Sequence, residues 1–174
     1  MPATSVAVMG STGSIGTQTL EVVAALPTDF DVVALGAANS IDLLAEQAIA
    51  FRPSVVAIAD PSLAAVLSER IPSEIEVLAG SDSLADASSS AEVVINGVSG
   101  FAGLPVTLAA LQAGCRLGLA NKESLIAAGP VVRRARETPG AELLPVDSEH
   151  CAIHQCLRAN DFHERVSRIV LTAS

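Results

Sequence analysis

The sequence predicts an α/β fold in which a doubly wound, mostly parallel sheet carries helices on both faces. Short β-rich apolar runs alternate along the chain with longer segments whose apolar residues recur at helical spacing. Half of the 174 residues are hydrophobic, yet Trp and Tyr are absent and Phe occurs four times, so the core must be aliphatic. Buried parallel strands favour that composition, and the repeated strand–helix–strand order implies a sheet covered on both faces.

The pattern places each element along the chain. Strands are predicted where a run is too short and too apolar for an amphipathic helix, at residues 6–9, 32–35, 55–59, 75–78, 93–96, 116–120, 143–146 and 169–172. Helices are predicted at residues 14–26, 41–50, 63–70, 104–113 and 123–136. The polar stretch 81–90 predicts a short helix with a surface loop. Because nothing follows the last predicted strand to cover it, we expect the sequence to be a fragment of a longer protein.

The amino-acid composition indicates which classes of partner and which cellular compartment to expect. The formal charge is −9 and no basic stripe is present, so we expect no nucleic-acid partner. No stretch approaches the roughly 18 uninterrupted apolar residues of a membrane span, so we expect no membrane partner. The cysteines, Cys115, Cys151 and Cys156, form no CxxC pair, which favours a reducing cytoplasm. We expect each of them to be a small core hydrophobe.

A glycine-rich turn follows the first predicted strand and opens the first predicted helix. Gly10, Gly13 and Gly16 have the spacing GxxGxxG, which lets backbone N–H groups approach a phosphate where a Cβ would block it. The helix N-terminus adds unpaired N–H groups, and Thr12 and Ser14 offer hydroxyl donors. The turn predicts a Rossmann-type domain that holds the pyrophosphate of a nicotinamide dinucleotide. The alternative is a tight turn with no ligand.

The residues at the end of the second predicted strand help to distinguish an NAD site from an NADP site. An NAD site usually places Asp or Glu at that position, but the residues there are Ala38, Asn39 and Ser40, with Asp42 slightly beyond. The missing carboxylate favours NADP, whose extra phosphate an acid would repel. No Arg or Lys lies nearby in the sequence, so Asn39 and Ser40 are the candidate phosphate ligands.

A second polar cluster follows the predicted strand at 116–120. Because ligands of doubly wound sheets lie at the carboxyl ends of strands, Asn121, Lys122 and Glu123 occupy a candidate site. Lys122 would supply a cation for an anionic substrate or polarise an oxygen atom. The alternative is a helix start in which Asn121 is the cap and Glu123 lies in the first turn. The two interpretations are compatible.

Two carboxylates follow the predicted strand at 143–146. In an extended segment, Asp147 and Glu149 would point to the same side and share a cation, and their hard oxygen ligands favour Mg²⁺ or Mn²⁺. The alternative is a capped helix start with acids near its dipole. His150 and His154 are four residues apart, but no further zinc-ligand motif accompanies them, so we expect no zinc site.

Three ordered motifs together resemble one enzyme family. They are GSTGSIG at 10–16, NKESL at 121–125 and LPVDSEHCAI at 144–153, and the final LTAS at 171–174 is similar to the start of a serine–glycine–glycine loop. In these motifs the chain resembles the 1-deoxy-D-xylulose 5-phosphate reductoisomerase family. The resemblance covers the whole chain but only the N-terminal part of such an enzyme.

The resemblance implies an NADPH-dependent enzyme of the non-mevalonate isoprenoid pathway. It would convert 1-deoxy-D-xylulose 5-phosphate, a small phosphorylated sugar, to 2-C-methyl-D-erythritol 4-phosphate with a divalent metal, Mg²⁺ or Mn²⁺, as Lewis acid. It implies a cytoplasmic bacterial protein that is a homodimer at full length. Residues 1–146 would form the NADPH-binding domain, and 147–174 would begin a catalytic domain. This chain alone would then bind the cofactor at best.

The resemblance also assigns roles to individual residues. The cofactor contacts it implies are Gly10, Thr12, Gly13, Ser14, Ile15, Gly16, Ala38, Asn39, Ser40, Asn121 and Glu123. The implied metal ligands are Asp147 and Glu149, the implied substrate contacts are Lys122, Ser148, Glu149 and Ser174, and the implied catalytic residues are Lys122 and Glu149. The family often has glycine–lysine–asparagine where this chain has Ala38, Asn39 and Ser40.

Two other functions fit part of the pattern. An NADP-dependent dehydrogenase of the aspartate-semialdehyde type also uses a GxxGxxG turn, and Cys151 would be its candidate nucleophile. A dinucleotide-sensing module without enzymatic activity would leave Asp147 and Glu149 without a role. Metal dependence of the activity discriminates among the three.

Overall fold

The structure is a computed structural model that describes residues 2–159 and 166–170. The strands of the described chain are β1 Thr4–Met9, β2 Phe30–Ala37, β3 Val55–Ile58, β4 Glu76–Ala79, β5 Val93–Asn96, β6 Arg116–Leu119 and β7 Glu142–Pro145. The α-helices are α1 Ser14–Ala25, α2 Ile41–Phe51, α3 Ala64–Arg70, α4 Ser83–Ser88, α5 Leu104–Gln112, α6 Lys122–Ala135 and α7 Ser148–Arg158. Single 3-10 turns, Pro61–Leu63 and Gly100–Gly103, precede α3 and α5.

The strands form one parallel sheet in the order β4-β3-β2-β1-β5-β6-β7. β1 is central and pairs with β2 on one side and β5 on the other, so that Met9 lies opposite both Gly36 and Asn96. The chain runs outward from β1 to β4 and then returns to β5 before running outward the other way. In open α/β sheets, the carboxyl ends of the strands where the order reverses form the crevice that binds ligands.

The sheet separates two aliphatic cores, because successive side chains of a strand face opposite sides. On one side, Ala7, Met9, Val94 and Leu117 pack with helices that include α4, α5 and α6. On the other side, buried residues of β1, β2 and β3 pack against α1, α2 and α3, and include Val6, Val8, Leu35, Val56 and Ile58. The predicted aliphatic core and doubly wound parallel sheet are confirmed.

Most of the predicted elements are present with small shifts at their ends. The first seven predicted strands and the five predicted helices each correspond to an observed element, and the strand at 93–96 has the predicted bounds. The eighth strand is not borne out where the chain is described: Ile169 and Val170 adopt no regular structure, and 171–172 lie outside the described residues.

The short helix and surface loop predicted in the polar stretch 81–90 are present, as α4 and the exposed turn residues 81–82 and 89–90. The helix also packs against the sheet. It buries Ser83, Leu84, Ala87 and Ser88 against the sheet and α5. Its small side chains allow this close approach, and Gly36 contributes, because a Cβ there would lie 2.7 Å from Met9 Sδ and 3.1 Å from Leu84 Cγ.

The cysteine prediction holds at only one of the three positions. Cys115 is buried in the core, whereas Cys151 is half-buried and Cys156 is exposed, since both lie on the α7 helix, which buries no residue. In the described ranges, no helix combines the length and apolar character that crossing a membrane requires.

Candidate functional site

The glycine-rich turn lies at the carboxyl end of β1, where the strand order reverses. Gly10 has a φ of +81°, a conformation that side chains disfavour, and a Cβ there would lie 2.7 Å from the carbonyl carbon of Gly97. A Cβ on Gly16 would overlap the backbone of Gly10 and Ser11. Gly10 therefore sets the sharp bend after β1, and Gly16 lets α1 pack tightly beneath it.

The start of α1 is open to a ligand. Gly13 is the N-cap residue, no side chain caps the helix, and its first turn contains no acidic residue. Gly13 and Ser14 are exposed and Thr12 is half-buried. Ser14 Oγ accepts a hydrogen bond of 3.1 Å from Gln18 Nε2, which leaves the hydroxyl proton for another acceptor. Unpaired N–H groups and the positive end of the helix dipole make this terminus suited to an anion.

A small cavity of about 170 Å³ adjoins the glycine-rich turn. It is lined by Ile15 from α1, by Gly97, Val98 and Ser99 after β5, and by residues 120–123 after β6. The Gly97 N–H donates to the Met9 carbonyl oxygen at 2.8 Å, which ties the two sides of the crevice together. The structure thus brings the predicted cofactor residues Ile15, Asn121 and Glu123 to one place, with Lys122 beside them.

Buried hydrogen bonds hold the wall of this cavity. Asn121 is the N-cap of α6: its Oδ1 accepts from Ser124 N at 2.8 Å, and its Nδ2 donates to the carbonyl oxygens of Val98 and Gly100. Asn96 Nδ2 donates a further hydrogen bond, of 2.8 Å, to the carbonyl oxygen of Gly103. The capping interpretation of Asn121 is confirmed. Since protein groups engage both polar atoms of its side chain, Asn121 has only its backbone to offer a ligand.

A second cavity, of about 260 Å³, brings Lys122 and Asp147 together. Lys122 begins α6 and Asp147 precedes α7, and both line the cavity with His150 and apolar residues. Asp147 Oδ1 accepts from the backbone N of His150 at 3.0 Å and lies 2.7 Å from its ring Nδ1. Partial burial raises the pKa of Asp147, but these hydrogen bonds and the charges of His150 and Lys122 outweigh it, so that the pKa lies below its usual value.

The extended geometry expected for Asp147 and Glu149 is wrong. Asp147 is the N-cap of α7 and Glu149 lies in its first turn, as in the capped-helix alternative. The two residues therefore do not form the continuous extended segment in which both side chains would point to the same side. Glu149 and Ser148 line a different cavity, of about 510 Å³, with Arg168. Across residues 2–159 and 166–170, no group of three or more metal-ligating side chains converges.

The segment after β2 is exposed at Ala38, Asn39 and Ser40. Ser40 is the N-cap residue of α2 without making a side-chain capping bond, so its hydroxyl does not serve the helix. The sequence offered no nearby cation, but the fold supplies one: Arg70, at the end of α3, forms an ion pair with Asp42 in the first turn of α2. The sequence alone did not indicate Arg70 because it lies 28 residues from Asp42 along the chain.

Another residue that the sequence analysis missed is Gln47, on α2. It is buried and donates a hydrogen bond from Nε2 to the carbonyl oxygen of Ser11, inside the glycine-rich turn. A glutamine among the apolar residues of an amphipathic helix was the available signal. Of the predicted site residues, Ser174 lies outside the described residues.

Comparison with known proteins identifies the family. A family model described as 1-deoxy-D-xylulose 5-phosphate reductoisomerase matches residues 6–129, and one for the C-terminal domain of that enzyme matches residues 143–174. The enzyme of that name from Thermoanaerobacter sp. is 46% identical over 170 residues, which cover 97% of this chain and 44% of the relative. The Beutenbergia cavernae enzyme is 50% identical over 179 residues, which cover 100% of this chain and 45% of the relative.

Solved structures of the same enzyme share the fold. The Zymomonas mobilis reductoisomerase in complex with NADPH superposes with a TM-score of 0.86 at 40% identity, over 90% of this chain and 42% of that one. A reductoisomerase in complex with NADPH, fosmidomycin and magnesium gives a TM-score of 0.85 at 36% identity, over 93% of this chain and 42% of that one. The chain thus spans less than half the length of these relatives, and it belongs to the 1-deoxy-D-xylulose 5-phosphate reductoisomerase family.

Proposed function

We propose that this chain is the NADPH-binding part of an enzyme that converts 1-deoxy-D-xylulose 5-phosphate to 2-C-methyl-D-erythritol 4-phosphate. The observation that carries the proposal is the open N-terminus of α1, which follows Gly10 at a φ of +81° where the strand order reverses. Backbone N–H groups there receive the pyrophosphate, and Thr12 and Ser14 add hydroxyl donors. Relatives solved with NADPH support the choice of cofactor.

The nicotinamide end of the cofactor fits the cavity beside Ile15. That cavity extends from the glycine-rich turn to Lys122 and Glu123 at the start of α6. Bound NADPH supplies a hydride for reduction of the rearranged sugar. Lys122 then lies between the cofactor cavity and the one that contains Asp147, where its ammonium group binds and orients an anionic substrate oxygen.

The adenosine end fits the exposed segment after β2. The Asn39 amide and the Ser40 hydroxyl donate hydrogen bonds to the 2′-phosphate, and Arg70 supplies a positive charge next to Asp42. Arg70 and Asp42 are 46% and 82% exposed, so their ion pair is weak and the guanidinium is available to a doubly charged phosphate. This arrangement favours NADPH over NADH.

A divalent-metal site belongs to the same proposal. We propose Asp147 and Glu149 as ligands of Mg²⁺ or Mn²⁺ because carboxylate oxygens suit these ions, and structures of relatives have been solved with magnesium. The described residues do not by themselves form the site, since Asp147 and Glu149 line different cavities and His150 engages Asp147 Oδ1. Ser148, beside Glu149, is a proposed substrate contact, and so is Ser174.

The remaining assignments extend the proposal to the whole protein. We propose that residues 1–146 are the NADPH-binding domain and that a catalytic domain begins at Asp147. The protein acts as a homodimer in the bacterial cytoplasm, without a nucleic-acid partner. A Cys-dependent dehydrogenase is a poorer fit, because Cys151 lies on α7 and lines a cavity against β5, β6 and β7, not the one beside the turn.

Turnover by the full-length protein tests the proposed reaction. We expect oxidation of NADPH that requires 1-deoxy-D-xylulose 5-phosphate, stops when the metal is chelated and resumes when Mg²⁺ or Mn²⁺ is added. Absorbance of NADPH follows the reaction, and mass spectrometry identifies the product. Absence of substrate-dependent oxidation would contradict the proposed function, whereas oxidation that persists in excess chelator would contradict only the metal assignment.

A further inference from the structure

A buried glutamine contacts the backbone of the glycine-rich turn. Gln47, on α2, is 7% exposed, and its Nε2 donates a hydrogen bond of 2.9 Å to the carbonyl oxygen of Ser11, which is fully buried. We propose that Gln47 is a positioning residue that orients the peptide group between Ser11 and Thr12, so that the N–H of Thr12 faces the cofactor pyrophosphate. This inference rests on the dinucleotide-binding function proposed above.

The geometry of the peptide group between Ser11 and Thr12 links the Gln47 contact at the Ser11 carbonyl oxygen to the direction of the Thr12 N–H. The described backbone contains no cis peptide bond, and in a planar trans peptide the C=O and the following N–H point in opposite directions. Because the Ser11 carbonyl points into the protein toward Gln47, the Thr12 N–H points outward at the mouth of the turn. Among the described residues, no acceptor receives that N–H, so it is available to a ligand.

The surroundings of the Gln47 side chain favour a role for its amide beyond packing. Its Oε1 is buried without a hydrogen-bond partner among the described protein atoms, and so is the Oγ of Ser11. A buried acceptor without a partner is unfavourable. Methionine would fill nearly the same volume without leaving such an oxygen, so packing alone does not explain an amide at this position.

The other hydrogen bonds of the glycine-rich turn indicate which part of the turn would change if the Gln47 amide were removed. The N–H groups of Gly10 and Ser11 both donate to the Gly36 carbonyl oxygen, at 2.8 and 2.9 Å, and neither bond involves Gln47. Only the peptide plane after Ser11 depends on the Gln47 amide. A variant without the donor should therefore stay folded and bind the pyrophosphate less tightly, because the Thr12 N–H is no longer held in place.

The experiment compares Gln47→Met with two control variants on the same helix, in the full-length protein. Leu44→Ala removes a fully buried core side chain of α2, and Glu46→Gln changes an exposed neighbour. Calorimetry measures the affinity for NADPH and NADH, and kinetics measure KM for NADPH and kcat. Thr-selective ¹⁵N labelling follows the Thr12 amide resonance. If Gln47→Met does not fold, Gln47→Leu takes its place.

For Gln47→Met we expect affinity for NADPH and NADH to fall alike, by about tenfold, as for one charge-assisted hydrogen bond. KM for NADPH should rise by the same factor with kcat kept, and the Thr12 amide should lose its shift on NADPH addition. Leu44→Ala and Glu46→Gln should bind NADPH like the parent. Unchanged affinity in Gln47→Met, or an equal loss in Leu44→Ala, would overturn the inference. If the parent protein bound no NADPH, the proposed function itself would fail.

Discussion

Lys122 and Asp147 lie on the wall of one cavity, although 25 positions of sequence separate them, and the charge of Lys122 contributes to the low pKa of the Asp147 carboxyl. They meet because β6 and β7 are neighbours in a parallel sheet and each residue follows the carboxyl end of its strand. The same Lys122 also lines the cavity beside the glycine-rich turn. It therefore connects the cofactor side of the site to the acidic side.

Replacing Lys122 tests this connecting role. In the full-length protein we expect Lys122→Ala to raise KM for 1-deoxy-D-xylulose 5-phosphate or lower kcat, with kcat/KM reduced by about tenfold or more, because a charge-assisted contact to the substrate is lost. Affinity for NADPH, measured by calorimetry, should change little. Lys122→Arg is the control that keeps the charge. A kcat/KM equal to that of the parent would leave Lys122 as a surface residue at a helix start.

Glu149 tests the metal and substrate assignment. Glu149→Gln keeps the size of the side chain and removes its charge, so we expect turnover to fall by more than about a hundredfold, as a lost metal ligand implies, while NADPH affinity is kept. Asp147→Asn is the companion variant, because asparagine still caps α7. Turnover by Glu149→Gln at the parent rate, at any Mg²⁺ concentration, would refute the assignment.

Two glycines of the turn should respond differently to the same substitution. Gly10→Ala forces a side chain into a φ of +81° and against Gly97, so we expect it to destabilise the fold by about 1–3 kcal/mol or more. Gly13 has a φ of −84° and a Cβ there meets only the Gly10 carbonyl oxygen, at 3.3 Å. Gly13→Ala should therefore stay folded and lose cofactor affinity.

Thermal unfolding and calorimetry distinguish the two effects. A large drop in Tm is expected for Gly10→Ala and a small one for Gly13→Ala, whereas both should weaken NADPH binding. If Gly13→Ala bound NADPH as tightly as the parent, the phosphate would not approach the backbone at this position.

Arg70 tests how the cofactor is chosen. Arg70→Gln removes the cation and leaves Asp42 unpaired beside the proposed 2′-phosphate position, so affinity for NADPH should fall by about tenfold or more while affinity for NADH is kept. The matched control is Arg52→Gln, at another surface ion pair, with Glu74. Equal losses for the two cofactors, or no loss for NADPH, would remove Arg70 from the site.

Cys115 provides a test of the core that does not depend on any ligand. Burial raises the pKa of the Cys115 thiol, so a smaller fraction is the reactive thiolate at any given pH in the folded protein than in the unfolded one. We expect alkylation of Cys115 to be slow until denaturant is added, as followed by peptide mass spectrometry. Rapid labelling of Cys115 under native conditions would contradict its place in the core.

The sequence predicted what local patterns and strand order control. The spacing of Gly10, Gly13 and Gly16 after an apolar run placed the turn, and the position of Lys122 after β6 placed it near the site because parallel strands end at one edge. The features that the sequence could not predict depend on contacts between segments that are far apart along the chain. Arg70 reaches Asp42, and Gln47 reaches Ser11, only after α2 and α3 pack beside β1 and β2.

The extended geometry expected at Asp147 and Glu149 was wrong because a local pattern fits more than one conformation. The two side chains would face one side in an extended segment, but Asp147 accepts the capping bond from His150 N, and the helix that begins at Ser148 includes Glu149 in its first turn. The polar composition of 81–90 predicted a short helix with a surface loop, and both are present. What the composition did not predict is the packing of α4 on the sheet, where Gly36 leaves room that Leu84 fills.

Isothermal calorimetry of NADPH with the full-length protein probes the turn at Gly10–Gly16 and the open start of α1 as the site of the cofactor pyrophosphate. We expect saturable binding of one NADPH per chain, weakened in Gly13→Ala. No saturable heat with NADPH or NADH would contradict it.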